Sequence, residues 1–304
     1  MLQYLPIFFI ILNELTMNQN KPYIIAHRVK QGIKRISNIK NIIAVSSGKG
    51  GVGKSTTAIN LAIALSKAGI QTGILDTDIY GPSIPKLLGN EDYKPEVSEN
   101  NKFLPLEVYG IKAMSFGFLV DRNQATIWRG AIVNKAIEQM LFDTEWNELD
   151  ILILDLPPGT GDIHLTMTQK FPITASIVVT TPQDIALIDV GKSIGMFNKL
   201  NIPCLGVVEN MALHTCEKCG HQEHIFGHGA IDKIKETYNI DKLASLPLDI
   251  NICKQSDNGA PIALTDDNYI ATIYASLAND TIAALGKLPK DYSNIMPNVQ
   301  VVKS

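Results

Sequence analysis

The amino-acid sequence predicts an α/β fold, in which a single domain is built on a doubly wound, mostly parallel sheet. Short apolar runs that do not alternate with polar residues recur along the chain, as in strands that helices cover on both faces. These runs lie at residues 42–45, 73–75, 151–154, 177–180 and 205–208. Helical stretches separate them, and this alternation of strand and helix is typical of parallel sheets.

Two helices are predicted from apolar residues that recur at helical spacing. The first carries its apolar face at Ala58, Leu61, Ala62 and Leu65. The second carries it at Ile270, Ile273, Tyr274 and Leu277. Gly69 is expected to end the first helix, because glycine commonly follows the last helical turn.

The domain is predicted to span residues 41–287. Before it lies an N-terminal extension of residues 1–40 with a leading helix, and after it a loose tail of residues 288–304. Residues 87–127 depart from the strand–helix alternation, with a polar stretch at 90–102 and short β-like runs around Val108 and Phe116. We interpret them as an insertion on the same domain. The sequence shows no internal repeat and no low-complexity linker.

The composition is that of a globular protein, with 45% hydrophobic and 19% charged residues among 304. A net charge of -3 gives no general attraction to nucleic acid or to an anionic membrane. The 4 cysteines are too few for a disulfide scaffold in a chain of this length. We therefore expect no nucleic-acid partner and no stable membrane insertion.

The N-terminal residues are unusually apolar. Residues 4–12 form an almost continuous apolar run, far shorter than the ~20 residues that span a bilayer. A signal peptide would begin with basic residues, whereas the first basic residue here is Lys21. We expect translation to start at Met17, so that residues 1–16 are not translated. The alternative is a short anchor at the membrane surface.

A glycine-rich motif, Gly-x-x-x-x-Gly-Lys-Ser, follows the first predicted strand and opens a helix. Its glycines let backbone N–H groups surround phosphate oxygens, and the helix N-terminus adds a favourable dipole. Lys54 is expected to pair with the β- and γ-phosphates, and the Ser55 hydroxyl to bind Mg²⁺. The motif predicts an ATP site of the P-loop NTPase type. The predicted nucleotide-binding residues of this loop are Gly48, Lys49, Gly50, Gly51, Val52, Gly53, Lys54, Ser55 and Thr56.

Acidic residues follow two of the predicted strands. A carboxylate at the tip of a buried parallel strand lies at the edge where open α/β sheets bind ligands. Asp155 therefore fits a Walker B acid that holds Mg²⁺ through water, and Asp76 is expected to assist with the metal. The alternative for Asp76, Asp78 and Asp155 is a helix N-cap; it is strongest for Asp78.

The early lysine of the loop, Lys49, makes the motif similar to the deviant Walker A of the MinD/ParA/nitrogenase iron protein class. The resemblance implies that Lys49 reaches across a homodimer to the partner's nucleotide, a cation supplied in trans. The alternative is a solvated loop lysine. The resemblance also implies that Asp78 orients the attacking water. With Lys49 and Lys54, Asp78 completes the predicted catalytic set.

Two further segments are interpreted by the same resemblance. Residues 157–162 look like a switch loop, in which the backbone N–H of Gly159 is expected to report the γ-phosphate. Asn210 lies where the class places an amide that reads the adenine edge. An amide offers both a donor and an acceptor, as adenine recognition requires. The alternative is an asparagine in a turn.

Cys216 and Cys219 are spaced as Cys-x-x-Cys, so two thiolates can hold one side of a metal centre. A tetrahedral zinc or a cubane cluster needs four ligands. Because a homodimer brings two pairs together, a bridging [4Fe–4S] cluster is expected. Zinc held by this pair with His221 and His224 is an alternative, although a zinc finger has about 12 residues between its pairs. A dithiol redox site is another, but the context is not thioredoxin-like.

Five further segments carry a specific resemblance: residues 78–85, 128–130, 155–162 and 209–211, and the Cys-x-x-Cys segment that ends at residues 224–227. Together they resemble the Mrp/ApbC family of ATP-binding iron–sulfur cluster carriers. The resemblance covers roughly residues 40–285. It implies a cytosolic homodimer that receives a cluster from a donor and passes it to apo iron–sulfur client proteins.

The leading function is therefore an ATP-hydrolysing iron–sulfur cluster carrier with a slow basal rate. One alternative is a MinD/ParA-like positioning or partition ATPase. Such proteins use a basic amphipathic C-terminal helix or a basic DNA-binding surface. Residues 291–304 contain one lysine, and the basic residues within 21–40 are better explained by a solvated helix. Another alternative is a nucleotide-dependent regulator with a structural zinc at the cysteine pair.

Overall fold

The computed structural model describes residues 22–120, 130–159 and 161–291. Its main sheet has eight strands in the order β10-β7-β6-β1-β5-β2-β4-β3. These strands are β1 Ile39–Ser46, β2 Thr72–Asp76, β3 Leu106–Val108, β4 Ile111–Ser115, β5 Leu149–Asp155, β6 Ala175–Thr180, β7 Cys204–Glu209 and β10 Lys242–Ser245. Every neighbouring pair is parallel except β3 with β4.

The order of the strands makes the sheet doubly wound. From the central β1 the chain first moves to β2 and β4 on one side, and later from β5 to β6, β7 and β10 on the other. Right-handed crossovers in opposite directions place helices on opposite faces. The predicted α/β fold with a doubly wound, mostly parallel sheet is confirmed, and each of the five predicted apolar runs lies within a strand.

The helices are bounded as follows: α1 Lys54–Lys67, α2 Ile84–Leu87, α3 Phe116–Leu119, α4 Gly130–Phe142, α5 Asp162–Lys170, α6 Asp184–Lys199, α7 Ala230–Tyr238, α8 Ile250–Asp257 and α9 Tyr269–Gly286. The apolar face predicted for α1 is fully buried. The face predicted for α9 is also inside: Ile270, Tyr274 and Leu277 are buried, and Ile273 packs partly buried against the core. Gly69 follows α1 with φ 86°, as expected of a residue that ends a helix.

The insertion predicted at residues 87–127 proves to be part of the main sheet. β4 pairs in parallel with β2, and β3 closes the edge antiparallel to β4. The β-like run predicted around Phe116 corresponds to β4, which ends at Ser115, and Phe116 itself begins α3. The Ser115 side chain accepts a hydrogen bond from the Gly117 N–H and so starts the helix where β4 ends. Residues 121–127 of the predicted insertion lie outside the described residues.

The leading helix predicted for the N-terminal extension is not present in residues 22–38. This segment lies against the body of the domain instead. The Arg35 guanidinium donates to the His27 carbonyl and pairs with Asp291 at 2.9 Å. Asp291 N–H in turn donates to the Ala26 carbonyl. The predicted tail is therefore wrong at its start, since residues up to 291 pair with the N-terminal segment. The predicted translation start at Met17 and the rest of the predicted tail lie outside the described residues.

Loops that follow β1, β2, β5, β6 and β7 emerge at one edge of the sheet, because parallel strands share a direction. This carboxyl edge carries the residues predicted to bind nucleotide. Among the described residues we find no helix with the length and apolar character needed to cross a bilayer.

Candidate nucleotide and metal site

The glycine-rich loop is held tightly between β1 and α1. Gly53 has φ 79° and precedes the first residue of α1. A Cβ on Gly53 would lie 2.2 Å from the Asn210 amide nitrogen, and a Cβ on Gly48 would lie 2.3 Å from the Asp189 Cβ. Both positions therefore require glycine for space, and Gly53 requires it for its left-handed backbone as well. The loop geometry supports the predicted phosphate site.

Lys54 and Asp155 meet at the base of the loop. Lys54 Nζ lies 2.5 Å from Asp155 Oδ1 and 3.1 Å from the Ser55 hydroxyl. Asp155 is fully buried, and its second oxygen, Oδ2, is buried with no hydrogen-bond partner. Buried acceptors are nearly always satisfied, so an unpaired carboxylate oxygen fits a role toward a cation or its bound water. The donor set suits Mg²⁺, which binds through one or two carboxylates together with phosphates and water.

Asp76 lies beside Asp155, since the two residues are register partners on β2 and β5. Its carboxylate accepts hydrogen bonds from Asp78 N–H at 3.0 Å and from the Ser115 hydroxyl at 2.9 Å. Burial, and then the negative charge of Asp155, raise the pKa of Asp76 to about 7. Asp76 thus anchors the loop that follows β2. Its assistance with the metal stays a prediction.

Asp78 is the second residue of that loop and is partly buried. Its carboxylate accepts a hydrogen bond from Gly81 N–H at 3.2 Å, so it closes a turn. Ser83 occupies the N-cap position of the next helix, α2, without a capping hydrogen bond from its side chain, so the N-cap alternative for Asp78 is wrong. Desolvation by burial is the main cause that raises the pKa of Asp78, against the lowering effect of Lys54. The carboxylate lies close enough to the Lys54–Asp155 pair to feel both charges.

Lys49 makes a contact that the sequence analysis missed. Its Nζ lies 2.6 Å from Gln183 Oε1, and the Thr181 hydroxyl donates to the same oxygen at 3.2 Å. Gln183 directly precedes α6 and follows β6, on the same sheet edge as the loop. Lys49 is therefore not a freely solvated loop lysine. The signal available in the sequence was a polar amide just after a strand next to β1.

The switch loop is tied to the phosphate loop. Gly159 N–H, the predicted sensor of the γ-phosphate, donates to the Ser47 carbonyl at 3.0 Å. Below it, His164 Nε2 lies 2.5 Å from the Pro157 carbonyl, a contact that sequence reasoning also missed. Within the predicted loop, Thr160 lies outside the described residues.

Asn210 lies at the end of β7 and is 8% exposed. Its Nδ2 donates to the Val52 carbonyl at 2.8 Å, and its Oδ1 accepts from Met211 N–H at 3.0 Å. The side chain therefore supports the phosphate loop directly. Each amide group retains capacity for one more hydrogen bond, and the adenine contact stays a prediction.

The cysteine pair lies in a small hairpin that follows β7. Strands β8 His214–Thr215 and β9 Gln222–Glu223 pair antiparallel. Between them, Cys216 N–H donates to the His221 carbonyl at 2.9 Å, and Gly220 N–H donates to the Cys216 carbonyl at 2.8 Å. The hairpin thus presents Cys216 partly buried and Cys219 exposed.

Hydrogen bonds prepare the Cys216 thiol for metal binding. The backbone N–H of Cys219, then that of Lys218, and then the Cys219 thiol lower the pKa of the Cys216 thiol. The thiolate is the form that binds metals, so the turn favours the ligating state.

The zinc alternative within one chain finds no support in the described residues. His224 Nδ1 contacts the Ala212 carbonyl at 2.7 Å, and its ring lies 5.7 Å from that of His228. Within residues 22–120, 130–159 and 161–291, no three or more histidine, cysteine, aspartate or glutamate side chains come together as a metal site. The hairpin of one chain offers two thiols, and a centre with four ligands needs a second source.

Relatives with known names match most of the chain. An iron-sulfur cluster carrier protein of Pseudomonas fragi is 52% identical over 254 residues, which cover 83% of this chain and 88% of the relative. The protein of the same name from Escherichia coli (strain K12) is 50% identical over 82% of this chain and 68% of its own length. An iron-sulfur cluster transfer protein NUBPL of Dictyostelium discoideum is 44% identical over 90% of this chain and 86% of the relative.

Solved structures agree with this fold. A nucleotide-binding protein in complex with ADP from Archaeoglobus fulgidus superposes with a TM-score of 0.68 at 39% identity, over 77% of this chain and 92% of that one. The cell division ATPase MinD of Pyrococcus furiosus superposes with a TM-score of 0.59 at 21% identity, over 79% of this chain and 97% of that one, and shows the fold alone. The family described as ParA, NUBPL iron-transfer P-loop NTPase matches residues 38–282. The chain therefore belongs to the NUBPL iron-transfer P-loop NTPase family.

Proposed function

We propose that the protein is a cytoplasmic, ATP-hydrolysing carrier that holds an iron–sulfur cluster between two copies of the chain and passes it to apo-proteins. The observation that carries the proposal is the position of Cys216 and Cys219. They follow Asn210 on the connection after β7, and Asn210 is bonded to the phosphate loop at the Val52 carbonyl. The thiol pair is thus attached to the nucleotide loop by a short, hydrogen-bonded segment.

The nucleotide half of the proposal uses the loop and two carboxylates. Backbone N–H groups of the loop and Lys54 bind the phosphates, and Ser55 with Asp155 holds Mg²⁺. Mg²⁺ supplies charge neutralisation on the phosphate oxygens when it is bound. Asp78 orients the attacking water. The unpaired Asp155 oxygen and the position of Asp78 near Lys54 support these roles.

The homodimer is supported by two features of the carboxyl edge. Lys49 lies at this edge in contact with Gln183, from where we propose that it reaches the partner's nucleotide when two copies close. Beside Gln183, the first turns of α6 expose Ile185 by 70% and Ile188 by 64%. Covering such apolar side chains favours association. Two copies bring four thiols together, the number that a [4Fe–4S] cargo requires.

The cargo is tested by reconstitution. The protein is purified without oxygen, incubated with iron and sulfide, and analysed for visible absorption and metal content. We expect about four irons per dimer, as four thiolate ligands imply. Cys216→Ala and Cys219→Ala should lose the iron, and Cys253→Ala is the matched control, because Cys253 is exposed on α8 outside the hairpin.

Two results would contradict the proposal. Stoichiometric zinc without a visible chromophore would indicate a structural metal. Iron retained by both hairpin variants would mean that other residues bind the cluster.

Transfer is then followed as activation of an apo iron–sulfur protein, with and without Mg²⁺ and ATP. If the rate of activation does not depend on nucleotide, ATP hydrolysis is not coupled to cluster transfer and this part of the proposal is wrong.

A further inference from the structure

A buried histidine lies beneath the switch loop and has no part in the site described above. His164 is 2% exposed, in the first turn of α5. Its Nε2 lies 2.5 Å from the Pro157 carbonyl oxygen. A carbonyl oxygen only accepts hydrogen bonds, so Nε2 must carry the hydrogen and donate it. The ring is thus fixed in one tautomer by its contact with the loop.

The second ring nitrogen of His164 makes no contact that would give the side chain a different role. His164 Nδ1 is buried and has no hydrogen-bond partner. Burial, with a smaller effect of the Lys54 cation, lowers the pKa of His164 to about 4, so the ring is neutral near neutral pH. A buried acceptor without a donor costs stability, which an apolar side chain of similar size would avoid. The bond to Pro157 is the compensating contact.

Pro157 occupies a central position in the switch. It lies two residues after Asp155, which contacts Lys54, and two residues before Gly159, whose N–H donates to the Ser47 carbonyl at 3.0 Å. The loop is therefore held at two points, Pro157 and Gly159. A fixed Pro157 carbonyl would confine any movement of the Gly159 N–H, from Ser47 toward a phosphate, to the residues after Pro157.

We propose that His164 is a positioning residue that holds the Pro157 carbonyl so that the Gly159 N–H can distinguish a triphosphate from a diphosphate. The inference rests on the proposed nucleotide function and on the predicted role of the Gly159 N–H as its γ-phosphate sensor, and adds the residue on which that sensing depends. His164 touches neither nucleotide nor metal in this role. It acts through the main chain of the switch loop.

Three substitutions of His164 test this role, because they differ in where they place a hydrogen-bond donor for the Pro157 carbonyl. In His164→Gln the amide nitrogen takes about the place of Nε2, whereas in His164→Asn it takes about that of Nδ1. His164→Leu fills the space without a donor. Dissociation constants are measured with Mg²⁺ for ADP and for a hydrolysis-resistant ATP analogue, and thermal unfolding of each variant confirms that it is folded.

The expected readout is the ratio of the two constants. Wild type and His164→Gln should prefer the triphosphate to the same degree, within about twofold. His164→Asn and His164→Leu should lose about tenfold of that preference, the effect of one hydrogen bond, with ADP affinity unchanged. A merely structural role would weaken both nucleotides equally.

Three outcomes overturn the inference: equal loss for both nucleotides, an unchanged ratio in the asparagine and leucine variants, or a glutamine variant that behaves like leucine. Failure of the proposed function is distinguishable. A wild-type protein that binds no nucleotide, or that binds no iron on reconstitution, contradicts the carrier itself. A wild type that binds both nucleotides without preference contradicts the His164 role alone.

Discussion

Gln183→Met removes the side-chain oxygen that holds Lys49 within its own subunit. The bond from Lys49 Nζ is 2.6 Å long. A hydrogen bond to a charged group contributes about 1.5–3 kcal/mol, and the lower figure suits a half-buried lysine. In the proposed homodimer two lysines leave their glutamines on closure, so the variant should favour closure by about 3 kcal/mol, or roughly a hundredfold in Kd. Gln183→Glu should act in the opposite direction, since a carboxylate binds the lysine more strongly.

The measurement is the dimer dissociation constant from sedimentation velocity, with Mg²⁺ and a hydrolysis-resistant ATP analogue. Thr181→Val is the matched control, because it removes the 3.2 Å bond from the Thr181 hydroxyl to Gln183 and leaves Lys49 in contact. A protein with Lys49→Ala should not form the closed dimer, whether or not Gln183 is also substituted. If Gln183→Met dimerises like wild type, or more weakly, Lys49 is not transferred from Gln183 to a partner and the reasoning is refuted.

Three further predictions concern stability and binding. Gly53→Ala places a methyl group 2.2 Å from the Asn210 amide nitrogen, on a residue whose φ is 79°. It should lower the free energy of unfolding by about 1–3 kcal/mol and abolish nucleotide binding. Gly50→Ala is the control: the nearest atom to its methyl group lies at 4.0 Å, so it should keep wild-type stability. Asn210→Ala frees the Val52 carbonyl and should cost about 1–2 kcal/mol in thermal unfolding, whereas an unchanged midpoint would mean the bond contributes nothing. Burial lowers the pKa of His164 to about 4, so the fold favours the neutral ring and its contribution to stability is lost as pH falls from about 6.5 to 4. The free energy of urea unfolding of wild type relative to His164→Leu should therefore fall by up to about 3 kcal/mol over this range; the difference between the two proteins cancels other titrating groups such as Asp76, and a constant difference would contradict the prediction.

Local sequence patterns predicted the central strands, in which nearly every residue is buried. The five apolar runs became strands because a parallel strand covered on both faces needs apolar residues at every position. The extent of the insertion was harder to predict. β3 and β4 are short, and their place in the sheet depends on pairing with β2, which local sequence does not reveal.

The prediction of a leading helix was wrong for a related reason. Residues 22–38 contain basic residues at spacings that suit a solvated helix, yet the segment is held by tertiary contacts. The Asn41 side chain accepts from His27 N–H at 3.0 Å, and Arg35 pairs with Asp291. Such contacts override weak helix propensity when they satisfy backbone groups.

The sequence by itself determined the phosphate loop, the strand-end carboxylates and the cysteine pair, because each depends on residue types at short spacing. Only the tertiary structure decided what these residues touch. Lys49 meets Gln183 across 134 residues, Lys54 meets Asp155 across 101, and Asn210 meets Val52 across 158. Such contacts follow from the order of strands in the sheet, which brings distant loops to one edge. That order is set by long-range packing rather than by local pattern.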